Sequence, residues 1–422
     1  MNPKYPHLIS GMLAFLFTLG TLFTGTAYAQ SLEQKYIHAL APLILSESKI
    51  GTALQQTAFQ QPDLLVIYGS SELLTEDTPE LLQYGRLTKI PVEATPYGSS
   101  QFFQYYPTGF SVYFVANEAM SSLNFAQNLA AIDSGLSGKK VVFSFTPSMF
   151  GKAEMGSGGY ATNFSLLHAN SLIFNVHLSL QTKQIAAQRM NDYSFTVASD
   201  PVLQFAIQQL NCKCGYGLYL YDLAWPLGQL NIWIIQLQDH WNVLSYIWDD
   251  PNLNSQVNHK PEQINWTEEI SRATSAQKIY SSNNPYGIEN DTWNAYYAHV
   301  LVPPKQAGSA DSAYIQALNN SKEWIDFDLA LRVLKELGAR PLILSRPING
   351  PIWDEMGISS QARQQYYVKL QKAVLPYGFP TIDFADHDND HYFSIDESSH
   401  TSRVGWVYVD MTLDAFFHSG IH

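Results

Sequence analysis

Short apolar runs that stop at turn residues alternate with segments of helical periodicity over much of the chain. Runs at residues 63–68, 111–115, 139–145, 340–344 and 381–384 predict five buried strands. Apolar positions at helical spacing predict helices over 31–60, 72–84 and 360–373, and a further helix after the second strand. Uninterrupted apolar strands separated by helices are typical of parallel sheets that are covered on both faces. The pattern therefore predicts an α/β fold with a mainly parallel sheet.

The middle of the chain, about 202–335, breaks this alternation. Residues 218–248 are rich in Leu, Trp, Tyr and Ile, although Asp222, Pro226 and Asp239 interrupt the run, and a stretch rich in Asn, Pro and Ser follows. This composition predicts an inserted region that is helical and loop-rich and that caps the sheet. The alternative is a surface that meets the membrane or a membrane partner, because aromatic side chains favour the membrane interface.

The amino-terminal segment is apolar and uncharged from Leu8 to Ala27. It ends in Ala-Tyr-Ala at residues 27–29, a small-residue pattern that is typical of signal-peptide cleavage sites. We expect residues 1–29 to be a secretory signal peptide or, since the run is long enough to cross a bilayer, an uncleaved membrane anchor. Both alternatives place residues 30–422, predicted to be a single domain, in the periplasm or at the outer face of the cytoplasmic membrane.

Composition narrows the class of protein. Charged residues make up only 14% of the chain, against roughly 25% in soluble domains. Lys and Arg total 24 against 37 Asp and Glu, which gives a net charge of -13. A chain this acidic is a poor general binder of nucleic acid, because affinity for phosphate backbones depends on Lys and Arg. The hydrophobic content of 46% excludes a disordered chain.

Three local features are interpreted as structural. Two cysteines are too few for a disulfide-dense scaffold, so we expect Cys212 and Cys214 to form a local disulfide or to remain two free thiols. The segment 387–391 has a histidine at each end, but this spacing follows no zinc pattern, and we expect a solvated loop without a metal. The turn Asn349-Gly350 after the fourth strand is also expected to be structural. No organic cofactor is predicted.

A candidate nucleophile follows the first strand, in the sequence Gly69-Ser70-Ser71-Glu72. Ligands of open α/β sheets bind at the carboxyl ends of the strands. A serine that begins a helix there can present its hydroxyl and its backbone N–H to a substrate together. The hydroxyl still needs a nearby base to become a nucleophile. The alternative is that one of the serines only caps a helix.

A candidate base lies near the other end of the chain, where Asp396 and Glu397 precede His400. A carboxylate three or four positions before a histidine can hold the imidazole tautomer while the other ring nitrogen faces a serine. By itself the pair is equally compatible with a surface hydrogen bond. The combination of a serine after the first strand and an acid–histidine pair in the last loop favours a serine hydrolase or transferase with a flavodoxin-like fold.

Several blocks of residues resemble, in order along the chain, the motifs of the DltD family, the D-alanyl transfer proteins of teichoic-acid D-alanylation. The blocks are Gly69-Ser70-Ser71-Glu72-Leu73, the segment 139–150, Arg340-Pro341-Leu342, Pro347-Ile348-Asn349-Gly350, Trp353, Tyr366-Tyr367, Asp383-Phe384, Tyr392-Phe393, His400 and Gly405-Trp406. The resemblance covers about 61–201 and 338–418. It implies membership of the SGNH-hydrolase-like superfamily and a three-layer sandwich.

The resemblance also implies a role for each candidate residue. Ser71 occupies the place of the superfamily's nucleophile, with Ser70 as the alternative, and His400 is the base. The family's acid lies three residues before the histidine, which is Glu397 here. Asp396, one position earlier, is the alternative acid.

The oxyanion donors are expected to be the backbone N–H groups of Ser71 and Ala119. The superfamily uses a glycine and an asparagine at this site. The region after the second strand, 116–121, contains no glycine, and the turn after the third strand has Ser148 in place of the asparagine.

The resemblance implies transfer of an acyl group, D-alanyl by family analogy, to a hydroxyl of an envelope polymer. It further implies a membrane O-acyltransferase partner and a D-alanyl carrier pathway. Two alternatives remain open at this point. One is a secreted SGNH-type esterase that acts on acylated glycans, and the other is a non-catalytic subunit of a membrane O-acyltransferase system.

Overall fold

A parallel sheet of five strands forms the centre of the structure, a computed structural model that describes residues 6–41, 52–74, 98–151, 157–212, 214–249, 263–301, 304–397 and 400–420. The strands are β1 Leu64–Gly69, β2 Ser111–Ala116, β3 Lys140–Phe145, β4 Arg340–Ser345 and β5 Thr381–Ile382. Neighbouring strands pair in parallel, in the order β2-β1-β3-β4-β5. The five predicted strands and the parallel sheet are confirmed.

This strand order is the one found in flavodoxin-like sheets. The chain moves from β1 to one neighbour, β2, and then returns past β1 to β3 on its other side. The direction of winding therefore changes between β1 and β3. Such switch points leave a crevice at the carboxyl ends of the strands, and the turn that follows β1 opens into it.

The sheet is buried on both faces, which explains the uninterrupted apolar runs in the sequence. All six residues of β1 are buried. Leu65 and Ile67 pack into one hydrophobic layer, whereas Val66 and Tyr68 pack into the layer on the opposite face. Alternate side chains of a strand point to opposite faces, so both sets must be apolar here.

Helices account for most of the remaining described residues. They are α1 Pro6–Leu40, α2 Thr52–Gln60, α3 Ser71–Leu74, α4 Ser99–Tyr105, α5 Ser122–Ile132, α6 Pro147–Phe150, α7 Ser157–Thr162, α8 Leu166–Phe174, α9 Leu180–Asn191, α10 Ser194–Val197, α11 Pro201–Asn211, α12 Gly217–Asp249, α13 Trp266–Tyr280, α14 Asn290–Thr292, α15 Ala298–Val300, α16 Asp311–Asn320, α17 Glu323–Glu336, α18 Gly350–Glu355, α19 Ser360–Val374 and α20 Arg403–His418. A π-helical turn, Trp293–Tyr297, joins α14 to α15, and 3-10 turns lie at Asp133–Leu136, Leu375–Tyr377 and Ala385–His387.

Two of the predicted helices are described only in part. The helix predicted over 72–84 is present as α3, and residues 75–97 lie outside the described residues. The helix predicted over 31–60 corresponds to the end of α1 and to α2, with residues 42–51 outside the described range.

Helices cover the sheet on both faces and complete the three-layer sandwich. Leu54 of α2, Phe125 of α5 and Leu331 of α17 belong to the hydrophobic layer on one face. Phe102 of α4 and Leu413 of α20 belong to the layer on the other face, and α13 packs against the outside of α20. The predicted α/β class is therefore confirmed.

The chain between β3 and β4 is helical in its described parts, from α6 to α17. The predicted inserted region, about 202–335, contains the stretch from α11 to α17, while residues 250–262 and 302–303 lie outside the described residues. Cys212 and Cys214 form a disulfide just before α12, which is the first of their two expected states. That residues 30–422 are a single domain stays a prediction.

Among the described residues, α1 is the one helix long and apolar enough to cross a membrane, over Ile9–Leu40. Its amino-terminal part is exposed, whereas Ala29, Glu33 and Ile37 are buried against the rest of the protein. The predicted cleavage sequence, 27–29, lies within this uninterrupted helix. Removal of residues 1–29 stays a prediction.

Candidate active site

The turn between β1 and α3 carries the candidate nucleophiles. β1 ends at Gly69 and α3 begins at Ser71, so Ser70 alone joins the strand to the helix. A methyl group on Gly69 would lie 2.6 Å from Leu73 Cγ and 2.7 Å from Glu72 Oε1, because both side chains of the new helical turn fold back onto the end of the strand. This close approach explains why glycine stands before the two serines.

The two serines have different environments. Ser70 is buried, its hydroxyl donates to the carbonyl of Asn117 at 3.2 Å, and its N–H donates to the Glu72 carboxylate at 3.0 Å. Ser71 is only partly buried and stands at the first position of α3. Ser71 is therefore the more accessible of the two hydroxyls, whereas both the hydroxyl and the N–H of Ser70 are engaged in hydrogen bonds within the protein.

A buried carboxylate and a buried guanidinium lie beneath the serine turn. Glu72 is fully buried, and burial raises the pKa of its carboxyl group, although the Ser70 N–H and the positive charge of Arg346 act in the opposite direction. Arg346 directly follows β4 and stacks over the Trp406 ring at 4.7 Å. Glu72 entered the sequence prediction only as part of a motif, and Arg346 was not among the predicted residues. The signal was available, since Arg346 directly follows β4 and Glu72 lies three positions after the end of β1, both at the edge where ligands bind.

The acid–histidine pair forms through Asp396. His400 Nδ1 lies 2.6 Å from Asp396 Oδ2, and the backbone N–H of His400 donates to Asp396 Oδ1 at 3.1 Å. The structure thus brings the alternative acid to the histidine, and not the favoured Glu397. The antiparallel bridge between Ser394 and Thr401 brings the two ends of this segment together, and Asp396 is the carboxylate that faces the ring.

Glu397 holds the loop through its backbone. Its carbonyl accepts hydrogen bonds from the Asn349 N–H at 2.9 Å and from Trp353 Nε1 at 2.7 Å, and its N–H donates to the Tyr297 hydroxyl at 3.2 Å. The adjacent Gly350 N–H donates to the Asp388 carbonyl at 2.7 Å. The Asn349-Gly350 turn after β4 therefore fixes the loop that carries Asp396 and His400, in agreement with its expected structural role.

The electrostatic environment of His400 connects the two ends of the chain. Burial lowers the pKa of its imidazole, but the carboxylates of Asp396, Glu72 and Glu397 together raise the pKa above its ordinary value. Glu72 directly follows Ser71, so the serine turn contributes to the electrostatic environment of the histidine. His400 Nε2 is buried and has no hydrogen-bond partner within the described part of the chain. It is therefore available to take a proton from a substrate or a hydroxyl.

The turn after β2 adjoins the serine turn, because the Asn117 carbonyl accepts the hydrogen bond from Ser70. Ala119 in this turn has φ of 56°, a left-handed conformation that favours glycine. Ala119, the expected oxyanion donor of this turn, thus has a backbone conformation that glycine adopts more readily. Asn163 uses its side-chain N–H groups on the carbonyls of Glu118 and Gly159, at 2.9 and 3.1 Å, so it stabilises this turn.

The histidine-rich segment 387–391 is held by a buried arginine. Arg363 Nε lies 3.0 Å from Asp388 Oδ2, and His387 Nδ1 lies 2.6 Å from Asp390 Oδ2. In the described ranges, no group of three or more His, Cys, Asp or Glu side chains is arranged to hold a metal ion.

The similarity to known proteins covers most of the chain and not only these motifs. A family model described as "DltD protein" matches residues 91–418. The curated "Protein DltD" of Bacillus subtilis (strain 168) is 26% identical over 410 residues, which are 97% of this chain and 96% of that protein. The "Protein DltD" of Staphylococcus aureus (strain NCTC 8325 / PS 47) is 23% identical over 412 residues, which are 97% of this chain and 94% of that protein.

Proposed function

The chain belongs to the DltD family, and on that premise we propose that it transfers an acyl group, D-alanyl by family analogy, to an envelope polymer outside the cytoplasm. The observation that carries the proposal is the contact between His400 and Asp396 beside the serine turn at the carboxyl edge of the sheet. A fixed imidazole with an available Nε2, together with a partly exposed serine whose neighbour Glu72 acts electrostatically on that imidazole, supplies the groups that acyl transfer through a serine requires.

The reaction proceeds in two halves. The Ser71 hydroxyl gives its proton to His400 Nε2, and its oxygen bonds to the carbonyl carbon of the acyl donor. The tetrahedral oxyanion then collapses, the bond to the leaving group of the donor breaks, and that group departs with the proton from His400. An acceptor hydroxyl next loses its proton to His400 and attacks the acyl-serine, and Ser71 recovers its proton as it leaves.

The surrounding residues have distinct roles in this proposal. Asp396 accepts the Nδ1–H of His400 and so keeps Nε2 as the proton acceptor. Glu72 and Asp396 stabilise the imidazolium that forms when the serine is deprotonated. The backbone N–H groups of Ser71 and Ala119 stabilise the oxyanion. No cofactor takes part.

We also propose that α1 remains attached and anchors the protein, with the sheet domain on the outer side of the membrane. Support comes from packing: Ala29 is buried, and Gly25 lies so close to Trp241 that a methyl group there would be 2.7 Å from the ring. Cleavage after Ala29 would remove both contacts. An anchored position suits a membrane O-acyltransferase partner and a D-alanyl carrier pathway as the source of the acyl group.

A serine-reactive fluorophosphonate tests the catalytic proposal on the full chain. We expect it to label the wild-type protein at Ser71 and to label Ser70→Ala as well, while Ser71→Ala takes up no label. Labelling of Ser71→Ala equal to that of the wild type would exclude Ser71 as the nucleophile. Absence of labelling in all three proteins would favour a non-catalytic subunit. With an acyl donor in place of the fluorophosphonate, rapid loss of the acyl group to water without transfer would favour an esterase.

A further inference from the structure

Helix α12 carries a continuous line of exposed apolar side chains. These residues, named here the apolar stripe, are Tyr219, Leu223, Leu227, Leu230, Ile234, Trp241 and Trp248, and each has at least 41% of its surface exposed. With about 100° of rotation per residue, they fall within an arc of roughly 80° on the helix surface. The helix contains no lysine or arginine, and no charged residue lies between Leu223 and Gln238.

The position of α12 relative to α1 shows which way the apolar stripe faces. Trp241 lies against Gly25, whereas the adjacent His240 contacts Glu33 at 2.8 Å and Gln30 at 3.5 Å. Two adjacent residues of α12 thus contact α1 over about 12 Å of its axis, on either side of the buried Ala29.

The uncharged part of α1 shows where its contact with α12 lies relative to a bilayer. The described helix has no charged residue before Glu33, and a hydrocarbon core of about 30 Å needs roughly 20 residues. A span that begins near residue 8 therefore ends near residue 27, so Gly25 lies at its outer edge and Glu33 lies outside it. Helix α12 contacts α1 there, with Trp241 at the edge of the span and the buried His240 beyond it.

We propose that α12 lies in the plane of the membrane with its apolar stripe embedded in the outer boundary between lipid head groups and acyl chains. This inference rests on the proposed anchoring by α1. Lipid is the favoured occupant because the stripe is continuous with the proposed membrane span at Gly25 and Trp241. Tyr219, Trp241 and Trp248 are residue types that favour this boundary. The stripe gives the domain a second attachment and fixes its orientation towards the membrane.

Spin labels on the full chain in phosphatidylcholine nanodiscs test the proposal. Labels at Leu227→Cys and Leu230→Cys report the apolar stripe, and Leu16→Cys on the exposed face of α1 reports the anchor. The matched control is Asn242→Cys, an exposed position of α12 about 100° away from Trp241. We expect the stripe and anchor labels to be accessible to oxygen and protected from a water-soluble nickel chelate, while the control label is accessible to the chelate.

The anchor label separates the two proposals. Stripe labels as accessible to the chelate as the control, with Leu16 protected, would overturn the inference and leave the anchor in place. Stripe labels that remain protected when Leu16 is accessible would support lipid contact without the anchor. Protection that appears only after a membrane O-acyltransferase is added would overturn lipid contact in favour of a protein interface.

A second measurement uses the quenching of tryptophan fluorescence and substitutions of tryptophan by phenylalanine, which keep the surface of α12 apolar. In nanodiscs made with brominated lipids, the wild-type tryptophan fluorescence should be quenched in part. Trp241→Phe and Trp248→Phe should each remove a quenched component, whereas Trp266→Phe, whose ring stacks on Phe102 in the opposite layer, should not. Equal quenching in all three variants would contradict the proposal.

Discussion

His400 Nδ1 lies 2.6 Å from Asp396 Oδ2, across a loop that the bridge between Ser394 and Thr401 closes. The loop geometry selects the acid, because the carboxylate four residues before the histidine is turned towards the ring. A carboxylate at this nitrogen fixes the tautomer in which Nε2 accepts a proton. The orientation of the base is therefore built into the backbone of the last loop.

The first prediction separates the two candidate acids. Asp396→Asn should lower the rate of acyl-enzyme formation by about 10³- to 10⁴-fold, because the amide stabilises the wrong tautomer. Glu397→Gln should change the rate by only a few-fold, since Glu397 holds the loop with its backbone. Single-turnover labelling with a fluorophosphonate measures both rates. A larger loss in Glu397→Gln than in Asp396→Asn would assign the acid to Glu397.

The second prediction concerns pH. The net effect of the surrounding carboxylates is to raise the pKa of His400 above 6.5, and only the deprotonated imidazole can act as the base. The rate of acyl-enzyme formation should therefore rise with pH through an apparent pKa above 6.5. Removing the charge in Glu72→Gln destabilises the imidazolium, so the profile should move to lower pH.

The exposed Glu118 supplies the control for this pH series. Glu118→Gln should leave the apparent pKa unchanged. A profile of Glu72→Gln that coincides with the wild type would show that Glu72 does not act on the histidine. Rates should be compared only for variants that retain a cooperative unfolding transition.

The third prediction tests the buried charges beneath the serine turn. Arg346→Met should lower the free energy of unfolding by about 3–5 kcal/mol, because it leaves Glu72 buried without its opposite charge. The double variant with Glu72→Gln should lose less than the sum of the two single losses. Arg332→Met, which breaks a surface pair with Asp328, should cost no more than about 1 kcal/mol. Additive losses in a denaturant series would exclude the coupling.

The fourth prediction links stability to Asp410. Burial raises the pKa of this carboxyl group to about 8, from an ordinary 3.8, and its oxygen accepts a hydrogen bond from Ser99. The folded state therefore binds the proton more tightly than the unfolded state. This contribution to stability is complete below about pH 4 and is lost as the pH rises towards about 8.

Asp410→Asn should remove this dependence, because the amide resembles the protonated acid and does not ionise. Denaturant unfolding at several pH values should give a flatter profile for Asp410→Asn than for the wild type. Asp291→Asn, at an exposed position, should follow the wild-type profile. Parallel profiles for Asp410→Asn and the wild type would contradict the raised pKa.

The sequence predicts the sheet well because strands that are buried on both faces have uninterrupted apolar sequences. Every strand position of β1 and β4 except Arg340 is buried, so the runs are apolar without alternation and differ from the helices around them. Helix α12 shows the opposite case. It is apolar on most of its surface, and composition does not distinguish a buried face from an exposed one. The sequence allowed a membrane-facing surface here as an alternative, but only the structure shows which apolar side chains of α12 are exposed.

The sequence predicts a site residue well when a reactive side chain directly follows a strand. It predicts less well which side chain contacts another when both lie in a loop. The serine turn follows from its place after β1. The choice between the two acids did not, because the spacing allows either one and the family resemblance favoured Glu397, whereas the structure turns Asp396 towards the ring. Arg346 and Glu72 come together only through the sheet order, since each follows a different strand.

Acyl transfer through Ser71 is tested most directly by a search for the acyl-enzyme itself. The full chain is incubated with a D-alanyl thioester, quenched in acid and digested, and the peptides are sequenced by mass spectrometry. We expect D-alanine on Ser71, its accumulation to be abolished in His400→Ala, and its release when a polyol acceptor is added. D-alanine on another residue, or acceptor esterification that proceeds equally in Ser71→Ala, would contradict the account.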